Sequence, residues 1–93
     1  MPTLLREVKE VTEVGTVETR RVILFGIEWF PSNTGQDLKV SDGNGNLLYK
    51  VRSTGPAPNG ESAYVEWKSF SDIFVDGIEV DTIDGGTVYI SYS

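Results

Sequence analysis

The chain has 93 residues, 14 acidic and 8 basic side chains, a formal net charge of −6, and neither cysteine nor histidine. That length predicts one domain near the lower size of a β-sandwich, roughly 100 residues. Disulfides are excluded, metal sites built on His or Cys are excluded, and an acidic chain does not neutralise phosphates, so nucleic acid is not an expected partner.

Residues 1–21 are polar and rich in Thr, Glu and Val. Val8, Val11, Val14 and Val17 have a helical spacing, but β-branched side chains and Gly15 oppose a stable helix. The expectation is an extended N-terminal arm over 1–15, with a strand over Val8–Val11 and another starting near Thr16. Residues 20–30, ending Ile27-Glu28-Trp29-Phe30 before Pro31, are the most apolar stretch and read as a central strand, with Gly26 marking a bulge. Residues 37–41 and 47–52 flank Asp42-Gly43-Asn44-Gly45-Asn46, a β-hairpin signal. Residues 53–60, with Pro56 and Pro58, form a loop longer than usual, of the kind found at contacts.

Residues 61–68 read as a strand with Ala63, Val65 and Trp67 on one face. After Phe70 the chain alternates apolar with acidic or hydroxyl residues, which marks strands with one wet face. Asp76-Gly77 and Asp84-Gly85-Gly86 interrupt it and predict hairpin turns, because glycine supplies the positive φ of tight turns. The sum is an all-β protein. It is expected to be a small antiparallel β-sandwich of jelly-roll or immunoglobulin-like size, with seven or eight short strands over 16–93. The expected core is Val22, Leu24, Ile27, Leu38, Val40, Leu47, Tyr49, Val51, Val65, Trp67, Ile78, Val80, Val88 and Ile90.

No apolar run reaches eighteen residues, so no membrane span is expected. The start lacks a basic segment followed by an apolar core, so no secretion signal is expected either, and the protein is expected to stay in the cell that makes it. All eight basic side chains lie in residues 1–68, beside nine acidic ones; residues 69–93 carry five acidic and no basic ones. That acidic end reads first as a solvated face and second as a docking surface for a basic partner.

Asp42, Asn44 and Asn46 match the first ligands of a calcium loop, but Leu47 stands where the bend needs glycine and Ser53 where a bidentate glutamate belongs. The same residues suit a plain β-turn. The carboxylates Asp72, Asp76, Glu79, Asp81 and Asp84 suggest an acid pair of glycosidase type, yet they fall at strand ends and on the wet face. A serine nucleophile would lack its usual base. An enzyme is therefore not expected, nor a cofactor. The aromatics divide: most rings on strands belong to a core, but Trp29-Phe30 and the Phe70, Phe74 pair put rings on both faces of their strands. Some must leave the core and cover a partner or stack on sugar.

Three stretches together carry a resemblance: Leu24-Phe25-Gly26, the hairpin from Leu38 through Asp42-Gly43-Asn44-Gly45-Asn46 to Lys50, and the ending from Val75 through Gly77 and Gly85-Gly86 to Ile90. Over residues 22–93 the chain resembles small all-β structural proteins of tailed bacteriophages, through turn and strand motifs of moderate specificity. The resemblance implies a non-enzymatic virion protein made in the host cytoplasm. A head decoration or cement protein bound to the major capsid protein, and a homo-oligomer with a trimer favoured, is the form it implies. A tail or fibre component is nearly as compatible. Partner-contact candidates are Leu4, Leu5, Val8 and Val11 in the arm, Pro56 and Pro58 in the loop, and the rings Trp29, Phe30, Phe70 and Phe74. The alternative is a carbohydrate-binding or adhesion module in which Trp29, Tyr64 or Trp67 stacks on sugar.

Overall fold

A computed structural model describes residues 7–54 and 65–93. Six strands follow one another: β1 (Glu7–Val11), β2 (Gly15–Phe30), β3 (Asp37–Ser41), β4 (Leu47–Arg52), β5 (Glu66–Ile83) and β6 (Thr87–Tyr92). All pairings are antiparallel, in one sheet of order β1-β6-β2-β5-β3-β4. The expected all-β antiparallel class is observed. The expected count of seven or eight short strands is corrected to six among the described residues, two of them 16 and 18 residues long.

The long strands persist because bulges absorb the breaks in the sequence pattern. Between β2 and β5 the register shifts at Thr16/Glu18, Glu18/Arg21 and Leu24/Gly26. Leu24 faces Ile73 and Gly26 faces Ser69, so Phe70, Ser71 and Asp72 stand opposite Phe25 alone. Asp72 takes a φ of 51°, a left-handed conformation that aspartate tolerates better than most residues. Asp76-Gly77 is another such break and not a hairpin turn, for it lies inside β5 with Gly77 at φ 90°. Extra residues of this kind bend a strand and increase its twist.

Two short connections show how far the bending goes. Val11 and Trp29 both face Val88, so the end of β1 lies level with the end of β2. Yet β2 begins at Gly15, and the step from Val11 to Gly15 spans at most ~14 Å. A straight β2 would put Gly15 about 45 Å from Trp29. The strand must therefore turn back on itself. The step from Ile83, opposite Leu38, to Thr87, opposite Phe30, demands the same of β5. The bent sheet keeps one buried face, and its shortest dimension is 19 Å.

Asp84-Gly85-Gly86 is that second crossing, since β5 and β6 do not pair with each other. The buried Trp29 ring anchors it by donating Nε1–H to the Gly85 carbonyl at 2.9 Å. Among the described residues only Asp42-Gly43-Asn44-Gly45-Asn46 closes a hairpin, between β3 and β4. Asp42 organises it: Oδ1 accepts the amides of Asn44 (2.9 Å) and Asn46 (2.8 Å), and Oδ2 accepts Asn46 Nδ2 (2.9 Å). The Asn46 side chain and these amides hold the Asp42 carboxyl below its usual value. The tip then docks on the β5 break through Gly43 N–H to the Asp76 carbonyl at 2.8 Å.

The core is Val22, Leu24, Ile27, Trp29, Leu38, Val40, Val75, Ile78, Val80, Val88, Ile90 and Tyr92. Nine of these were expected from the sequence, and Trp29, Val75 and Tyr92 were not. Leu47 and Trp67, expected inside, are 55% and 62% exposed. Tyr49 and Val51 pack against the core as partly buried side chains, while Val65 is half-buried. The strand expected over Val8–Val11 is observed as β1, which is the edge strand of the sheet among the described residues, and its Val11 packs against the core.

Candidate interaction surface

Residues directly opposite in an antiparallel pair share a face. With Val22, Leu24, Ile27 and Trp29 turned inward, Ile23 and Phe30 turn outward, and the bulge at Leu24/Gly26 leaves Phe25 on that outer side. Phe74 faces Ile23, Trp67 faces Glu28, and Glu28 also faces Tyr89. The outer face of β6-β2-β5 thus carries Ile23, Phe25, Phe30, Trp67, Phe74 and Tyr89. Phe30 meets Tyr89 edge to face at 5.6 Å between ring centres. The Arg21 guanidinium lies 5.0 Å from the centre of the Phe74 ring. Trp67 and Phe74 are each 62% exposed, an unusual amount of aromatic surface to leave in water.

The contact candidates read from sequence scatter over this frame. Val8, 57% exposed, and Phe74 are on the surface; Phe30 is half-buried on the outer face. Phe70 packs partly against the core with Lys68 Nζ 5.2 Å from its ring centre. Val11 is partly buried against the core. Trp29 is fully buried, which corrects its assignment as a contact or sugar platform. Leu4, Leu5, Pro56, Pro58 and Tyr64 lie outside the described residues.

Sequence reasoning placed Trp67 in the core, since Glu66 and Lys68 flank it, and otherwise named it only as a sugar platform; it is exposed on the outer face. On the inner side of this part of β5 Lys68 is exposed and Glu66 only half-buried, so both charges keep contact with water. Parity from Ile27 would have found Trp29: if one is inward, so is the other.

Several acidic side chains hold turns, ion pairs or hydroxyl groups. An open hollow of about 360 Å³ is lined by Thr16, Glu18, Thr19, Gly43, Asn44, Asp76 and Glu79. Its Glu18 accepts Arg20 Nη2 on Oε1 (3.0 Å) and the amides of Thr19 (3.0 Å) and Arg20 (3.2 Å) on Oε2. The Arg20 guanidinium bond, above all, pulls its pKa down to about 2. Asp76 pairs with Arg21 at 3.9 Å, and Asp81 accepts the Ser41 hydroxyl. A carboxyl held ionised, as Glu18 is, suits ion pairing and cannot donate a proton as an acid catalyst must. Among the described residues no three acidic side chains converge as metal ligands. No protein-family model matches the chain, and neither a curated protein nor a solved structure does.

Proposed function

We propose that this chain is a non-enzymatic structural protein of a bacteriophage virion, a decoration protein that binds the assembled head and stabilises it. The observation that carries the reading is the exposed pair Trp67 and Phe74 on a sheet face also bearing Ile23, Phe30 and Tyr89. Interfaces are built around aromatic anchors of this kind, and arginine, here Arg21 over Phe74, is enriched with them. The bent sheet is read as a small sandwich-like body that presents this face to the capsid shell. Its partners are the major capsid protein and further copies of itself.

The test is cosedimentation with assembled heads of the phage that carries the gene. Trp67→Ala with Phe74→Ala is expected to abolish binding while the far-UV circular dichroism stays unchanged. Undiminished binding by that variant would remove the aromatic face from the proposal. The exposed Trp67 ring also suits the second reading, stacking on a sugar. Glycans that shift the emission of Trp67, and heads that do not bind, would favour it instead.

A further inference from the structure

The sheet ends on two edge strands of opposite electrical character. β4 closes one end of the order, and among the described residues no strand lies beyond it. Leu38 and Val40 point into the core, so Lys39 points outward, and Lys50 directly opposite it does the same. Arg52, two residues on, shares that face. Like charges directly opposite one another in a sheet destabilise it. Among the described residues no carboxylate forms an ion pair with any of the three, although the chain has an excess of acid.

Among the described residues β1 closes the other end. Its Glu10 lies opposite Tyr89 on the outer face, exposed and without an ion pair among the described residues. On the inner face Val11 packs against the core, as Val51 of β4 does. Edge charges discourage pairing with an edge of the same sign. Two β4 edges would bring two sets of Lys50 and Arg52 together, and two β1 edges would do the same with Glu10. A β4 edge against a β1 edge opposes unlike charges. It also continues the antiparallel alternation and keeps the outer faces on one side.

We propose that β1 of one copy of this chain adds as an antiparallel strand to β4 of the next, with Glu10 set against Lys50 and Arg52. The contact is heterologous, each copy offering one edge of each kind, so a chain of copies closes into a ring when the rotation per copy permits. The outer aromatic surface is left free in such a ring. The proposal rests on the self-association included in the proposed function and is independent of shell binding.

Light scattering after size exclusion on the full chain tests it. The unaltered protein is expected to associate in low salt and to fall to single chains as sodium chloride is raised, since exposed charges are screened. Glu10→Lys alone, and Lys50→Glu with Arg52→Glu, are each expected to run as single chains with unchanged circular dichroism. Mixing these two variants in equal amounts restores association, because the reversed edges are again complementary. An unaltered chain that stays single, association indifferent to salt, either variant associating like the parent, or a mixture that stays apart would each overturn the proposal. The Trp67→Ala, Phe74→Ala protein, deficient in shell binding, is expected to associate normally, which separates failure of one reading from failure of the other.

Discussion

The two tryptophans occupy opposite environments. Trp29 is fully buried and its indole N–H holds the β5–β6 crossing at Gly85, while Trp67 stands 62% exposed. Trp29→Ala should therefore cost about 3–5 kcal/mol, through lost burial and a cavity. Trp67→Ala should stay within about 0.5 kcal/mol of the parent, as surface changes usually do. Urea denaturation of both variants measures the contrast, and similar losses would contradict it. Tyr92 and Glu18 predict how stability bends with pH. Burial first, then the nearby carboxylates of Glu7 and Glu18, pushes the Tyr92 hydroxyl up to about 12. Its contribution is whole below the ordinary tyrosine value of 10 and is lost as pH rises through about 12. Glu18 behaves in the opposite sense: its contribution is present above 4.5 and lost as pH falls through about 2. Thermal midpoints should fall less steeply on the alkaline side for Tyr92→Phe, and less steeply on the acid side for Glu18→Gln, than for the parent.

At the scale of elements, the hairpin tip and the break in β5 act as one unit. A side chain at Gly43 would bring its Cβ within 2.5 Å of the Asp76 carbonyl, and one at Gly77 within 3.0 Å of the Glu18 carbonyl. Gly43→Ala must therefore pull the tip away and break the Gly43–Asp76 hydrogen bond. A lowered midpoint, with faster amide exchange at Gly43, is the expected result; an unchanged one would show the approach to be incidental. These elements also show which parts of the fold a sequence can carry. β3, β4 and β6 were legible almost residue for residue because alternation and a local turn define them. The long strands were not, because Asp72 and Asp76-Gly77 use the same residue types in a bulge that other chains use in a turn. What distinguishes the two is the partner strand, and β2 is distant in sequence. The surface suffered likewise: Phe74 was legible from its excess of rings, but the side on which Trp67 falls required the register of β5 against β2.

Across the whole molecule, the first strand pairs with the last, Glu7 opposite Tyr92. Deleting residues 2–12 consequently removes β1, bares the edge of β6 and strips Val11 from the core. Such a truncation should lower the thermal midpoint by several degrees, at about 4–8 °C per kcal/mol for a domain this size. Calorimetry would show this, and an unchanged midpoint would demote β1 to an ornament of the sheet.

The position of β6 between β1 and β2 has a consequence for synthesis. On the ribosome, β1 and the second half of β2 emerge first and flank a slot whose occupant has not yet been translated. The native arrangement must wait for residues 87–92, so a nascent chain stalled before Thr87 would lack the strand that joins β1 to β2. Supplying residues 87–93 in trans, as a separate peptide, would then turn completion of the fold into an event that an experimenter can time.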